Sequence, residues 1–108
     1  MKKIKLFWTP FASRCLDEIK SYIKRETQSE IIANKQISRL IERAEQLTQF
    51  PESGQQEELL KNLKQNSRYL LYYDYKIIYQ YHHDNKIIIT DVFHVKQNPV
   101  KISRNSND

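Results

Sequence analysis

The sequence predicts an α+β domain of two layers, an αα-hairpin packed on an antiparallel sheet in the order β-α-α-β-β-β. Three observations carry this reading. Residues 68–96, RYLLYYDYKIIYQYHHDNKIIITDVFHVK, hold most of the chain's aromatic and β-branched residues and are broken by the polar group His82, His83, Asp84 and Asn85. Residues 10–49 repeat apolar side chains at helical spacing, with one restart signal between two stripes. The first residues form a short alternating stretch ahead of a helix start. At 108 residues the chain is expected to be one domain over 1–99, with 100–108 a polar, frayed tail.

Taken in order, 3–8 is a strand with Ile4, Leu6 and Trp8 on one face. Thr9 is placed to accept an orphan backbone N–H, and Pro10 suits the first helical position because it has no donor to satisfy. Ala12, Cys15, Leu16, Ile19, Tyr22 and Ile23 then form one apolar stripe. Thr27 followed by Glu30 has capping-box spacing and opens a second helix whose buried stripe is Ala33, Ile37, Leu40, Ile41, Ala44 and Leu47. That helix stops near Gln49, and the short connection predicts an antiparallel helical hairpin. Pro51, Glu52, Ser53 and Gly54 make a turn; Leu59, Leu60 and Leu63 fit either a short helical turn or a loop crossing the sheet. Three strands follow, over 68–73, 75–81 and 86–95. Strict alternation along the last puts Ile87, Ile89, Asp91, Phe93 and Val95 on one face, and Ile88, Thr90, Val92 and His94 on the other.

Composition narrows the function classes. No run approaches the roughly 20 apolar residues of a membrane span, and MKKIKLFW is too short for a secretory core, so a cytoplasmic protein is expected. The single cysteine excludes an internal disulfide and fits a reducing compartment. Cys15 lies in the apolar stripe and reads as a small buried hydrophobe. The net charge of +5 is concentrated at the start: the first 25 residues carry seven Lys or Arg against two acids, whereas 26–56 carry three against five. That asymmetry permits a nucleic-acid or acidic-protein partner. His82 and His83 point opposite ways on a strand end without a cysteine pair, so no metal site and no cofactor is expected. One glycine leaves no phosphate-cradling loop.

What remains is a basic and imidazole group on the meander: Arg68, Lys76, His94 and Lys96. Arg and Lys clamp phosphate oxygens, and His moves a proton near neutral pH. RNA cleavage by the 2′-hydroxyl needs only a base, an acid and a cation at the phosphate. Arg68 and His94 are the catalytic candidates for that chemistry. The structural alternative is that these side chains solvate the sheet or pair with acids.

From about residue 3 to 99 the sequence resembles the RelE/ParE superfamily of toxins from type II toxin–antitoxin systems. The resemblance lies in WTPFA at 8–12, FPESG at 50–54, Arg68, YKIIY at 75–79 and VFHVKQNP at 92–99. It implies a strand, two helices and an antiparallel sheet. It also implies a cognate antitoxin whose C-terminal segment wraps the toxin. Two activities occur in the superfamily: ParE-like members poison DNA gyrase without hydrolysing anything, and RelE-like members cut mRNA on the ribosome. His94, Lys96 and Gln97 resemble the H-x-[RK]-[RQ] ending of the ParE-like branch, and the FPESG turn is typical of it. Against the RelE-like pattern, Arg68 and His94 match, Glu57 or Glu58 stands near the expected Glu, and Val95 occupies the place of a Tyr. Lys76 stands where both branches usually carry Arg. The resemblance therefore favours a gyrase inhibitor over a ribosome-dependent endoribonuclease, with an inactive antitoxin-binding module as the third possibility.

Overall fold

The computed structural model describes residues 3–56 and 67–96. Strand β1 (Lys5–Trp8) leads into helix α1 (Pro10–Thr27) and helix α2 (Glu30–Glu45), which ends in a 3-10 turn over Gln46–Thr48. Four strands follow: β2 (Gln55–Gln56), β3 (Arg68–Tyr72), β4 (Tyr75–His82) and β5 (Lys86–His94). The sheet order is β1-β5-β4-β3-β2. The expected fold class therefore stands. The sheet is mixed, because β1 joins β5 in parallel while every other pairing is antiparallel. The expected tail at 100–108, the three leucines of 59–63 and Glu57 or Glu58 lie outside the described residues.

Helix α1 starts as its sequence dictates: the Thr9 hydroxyl accepts from Ala12 N at 3.0 Å, with Pro10 in the first turn. The same hydroxyl donates to Thr90 O at 3.3 Å, so the cap also fastens the helix start to β5. The helix junction differs from the capping box expected at Thr27. That hydroxyl donates back to Ile23 O at 2.7 Å inside α1, Gln28 turns the chain at φ 55°, and Ser29 caps α2 by accepting from Ile32 N at 3.1 Å. A threonine hydroxyl one turn from a preceding carbonyl satisfies itself there, leaving the nearer serine to serve the new helix.

Ala12, Leu40, Ala44 and Leu47 from the helical layer meet Leu70, Ile77, Tyr79, Ile87, Ile89 and Val92 of the sheet. Leu40 is 1% exposed. Leu40→Ala should cost about 3 kcal/mol, the lost transfer energy plus the cavity left behind, measured by urea unfolding. An unchanged midpoint would contradict this packing.

Strict alternation on β5 does not hold. Ile78 pairs with Asp91 but Tyr79 pairs with Ile89, so Thr90 is an extra residue, a β-bulge. The inserted residue resets the side-chain parity. Val92 thereby joins Ile87 and Ile89 under the helices, and Phe93 packs with Ile78 and Tyr69 on the opposite face. His94 follows Val92 to the helix side, where its ring meets Tyr75 edge-on at 5.3 Å. The β4–β5 turn is the polar break read from sequence, closed by His82 against Lys86 and eased by Asn85 at φ 61°.

Candidate functional site

A groove of about 760 Å³ opens between α1 and the end of β5. Its helical wall is a stripe spaced four and three residues apart: Phe11, Cys15, Glu18, Tyr22 and Arg25. These positions share one flank of α1 and run along roughly 21 Å of helix. The opposite wall includes Asp91, His94 and Lys96. The β5 bulge is what brings His94 to this side.

Within the groove His94 is fixed by short-range contacts. Its Nδ1 accepts from the Lys96 backbone N at 3.2 Å, which leaves the proton of a neutral ring on Nε2, 3.9 Å from an Asp74 carboxylate oxygen. Asp91, paired with Ile78 across the sheet, is 4% exposed. Cys15 is half-buried, and burial pushes its thiol above the ordinary value, opposed by a backbone hydrogen bond to Val92 and reinforced by Asp91 and Glu18. Such a thiol stays protonated at neutral pH and is a poor nucleophile.

Arg68 sits elsewhere. It pairs with Tyr79 whereas His94 pairs with Tyr75, so the two share a sheet face but stand four residues apart along β4, ~13 Å of strand, with β4 between them. The Arg68 guanidinium donates to Glu52 O at 3.2 Å and Gly54 O at 3.0 Å. Beside it the Tyr79 hydroxyl donates to Pro51 O at 2.8 Å and accepts from Gly54 N at 3.0 Å. Arg68 and Tyr79 together fasten the FPESG turn to the sheet. Sequence reasoning missed this role of Tyr79. The available signal was a tyrosine ending the buried run YKIIY, since a buried phenol needs a partner for its hydroxyl.

Lys76 is in a third place. Its Nζ lies 4.2 Å from the centre of the Tyr69 ring, on the face that carries Ile78 and Phe93. Of the four basic candidates, only His94 and Lys96 are brought together. His82 and His83 are exposed at the hairpin turn, and among the described residues no three His, Cys, Asp or Glu side chains cluster for a metal.

Burial also pushes the Tyr79 phenol above its ordinary value of 10.0, partly offset by Gly54 and Arg68. Below pH 10 the phenol is protonated whether the chain is folded or not and adds no pH dependence. Above it the unfolded chain ionises first, so stability should fall as pH rises further. Urea titrations across roughly pH 9 to 11 should show a steeper loss for wild type than for Tyr79→Phe; parallel curves would contradict the buried phenol.

The chain matches the family model described as ParE toxin of type II toxin-antitoxin system, parDE, over residues 6–99. It belongs to the ParE toxin family. The matched region spans both helices, the FPESG turn and the whole of β5, so the groove and the turn clamp are built from ParE-family sequence. No curated protein matches the chain in sequence. Among solved structures, one from the chromosomal ParDE TA system of P. aeruginosa superposes with a TM-score of 0.68 at 19% identity, covering 85% of this chain and 96% of the other. That likeness shows a shared fold. No described helix is long and apolar enough to cross a membrane.

Proposed function

We propose that this ParE-family toxin acts in the cytoplasm by binding and inhibiting DNA gyrase, without metal or cofactor, and is neutralised by a cognate antitoxin. Family membership supports a toxin paired with an antitoxin, and the solved relative is itself described as a ParDE TA system. The observation that carries the choice of target is the separation of Arg68 from His94. Metal-independent RNA cleavage needs the proton-transferring group and the charge-stabilising group at one phosphate, each within about 3 Å of the atom it serves. Here Arg68 is engaged by two backbone carbonyls of the FPESG turn, and His94 on β5 is paired four residues away from it as measured along β4. Val95, where the ribonuclease pattern has a tyrosine, supplies no second proton donor. Arg68 thus acts as a positioning residue, while His94 and Lys96 offer a polar contact surface to a partner.

The competing reading, an endoribonuclease acting on mRNA in the ribosome, makes an opposite forecast. Ribosomes programmed with a defined mRNA should carry no toxin-dependent cuts when 5′ ends are mapped. Codon-positioned cuts that fall on the order of 10²-fold in Arg68→Ala and in His94→Ala would replace gyrase by the ribosome as the target.

A further inference from the structure

A second surface lies on the other flank of the helical layer. Helix α2 packs against β3 while α1 packs against β5, and a shallow notch of about 370 Å³ opens where α2 meets the β3–β4 turn. Its lining is Arg39, Glu42, Arg43, Gln46, Tyr72 and Tyr73. Arg39 and Arg43 stand about one helical turn apart, ~6 Å along the axis. Lys35 precedes them on α2 at the same spacing. Arg43 is held in place: its Nε donates to Leu71 O at 3.1 Å and its Nη1 to Gln46 Oε1 at 2.7 Å. A guanidinium fixed in this way presents its remaining edge without further loss of freedom.

Tyr73 is out of keeping with its position. Tyr72 pairs with Tyr75, so Tyr73 and Asp74 are the two residues of the turn, and Tyr73 stands at φ 52°. Left-handed backbone in such a turn suits glycine or asparagine, because the Cβ of any other residue is crowded by the following carbonyl. Burial offers little in return: the residue is 81% exposed, and its ring meets Tyr72 edge-on at 4.8 Å. A large ring held at a strained, solvated turn is accounted for by a contact outside the chain.

We infer that this notch binds single-stranded nucleic acid, with successive phosphates against Arg39 and Arg43 and a base laid on the Tyr73 ring. The inference goes beyond the gyrase reading and does not depend on it. Two guanidiniums against the one carboxylate of Glu42 leave the notch positive. Arginine clamps phosphate oxygens, and every base has a flat face for an aromatic ring, so the pairing reads a single strand without reading its sequence. An acidic peptide would satisfy the arginines and leave Tyr73 unused. A duplex, whose bases stay stacked inside, would do the same.

The probe is a fluorescein-labelled oligothymidylate of roughly 12 nucleotides, titrated with antitoxin-free toxin and followed by anisotropy. The logarithm of the binding constant should fall with that of the salt concentration, with a slope of about 0.7 for each phosphate held. Arg39, which is exposed, can be changed without disturbing the core, and Arg39→Gln should reduce that slope by about 0.7. Tyr73→Asn should weaken binding on the order of tenfold and leave the slope unchanged. Its melting temperature should be no lower than that of wild type, since asparagine tolerates this backbone, whereas a merely structural tyrosine would lower it. Oligouridylate of the same length tells which sugar is preferred, and tight binding of either strand supports the site. Equal binding of duplex DNA or polyglutamate, wild-type affinity in Tyr73→Asn, or no binding at low salt would overturn the inference. Supercoiling assays keep the two readings apart. Toxin that binds the strand without inhibiting gyrase would remove the gyrase reading alone, and toxin that inhibits gyrase without binding the strand would remove this inference alone.

Discussion

Gly54→Ala is expected to destabilise the fold by about 4 kcal/mol, more than most single substitutions, although it adds only one methyl group. A Cβ at this position would lie 2.5 Å from the Tyr79 hydroxyl and 2.7 Å from the Tyr69 carbonyl oxygen. The second neighbour is strand backbone and has little room to yield. Overpacking of that kind costs about 1–3 kcal/mol. The shift also disturbs the hydroxyl that donates to Pro51 O and accepts from Gly54 N, and each buried polar group left unmade adds about 1–3 kcal/mol. Tyr79→Phe, which keeps the ring and removes only the hydroxyl, should cost less, about 2 kcal/mol. Denaturant unfolding of both variants checks the order. A Gly54→Ala protein as stable as wild type would show that the turn is not clamped against β4.

Saturating antitoxin is expected to stabilise the toxin by about 4 kcal/mol when present at about 1,000 times its dissociation constant, because it binds only the folded chain. For a domain of this size that corresponds to a rise in melting temperature of about 15 °C. Scanning calorimetry with increasing antitoxin should show the rise continuing with concentration after every site is filled, the signature of mass action. A transition that does not move would remove the antitoxin from this account.

What could be read in the sequence was what short stretches of chain decide for themselves. Thr9 and Pro10 start α1, the apolar stripes select the buried face of each helix, and the break at 82–85 makes the hairpin. Features set by distant pairing were not legible. The parallel placement of β1 depends on backbone bonds such as Lys5 N to Asn85 O and Thr9 N to Ile89 O, across some eighty residues of chain. The bulge at Thr90 arises only where β5 is matched to β4, and a single inserted residue reverses the face of every side chain after it. The same limit applied to the candidate site. Residue types alone grouped Arg68, Lys76, His94 and Lys96; pairing register sends Arg68 to a turn clamp and Lys76 to the opposite face. The groove, built from a flank of α1 and the residues beyond the bulge, has no contiguous motif. Its helical wall was visible only as the outer edge of a stripe assigned to the core.

The central claim, that this ParE-family member acts on gyrase by binding, is tested most directly by DNA supercoiling with purified gyrase. Relaxed plasmid, ATP and gyrase are incubated with increasing toxin freed of antitoxin. Supercoiled product should decline as toxin is added, linear cleaved DNA should accumulate, and added antitoxin should reverse the inhibition. Supercoiling that proceeds at its full rate with excess folded toxin, and without cleaved DNA, would contradict the account.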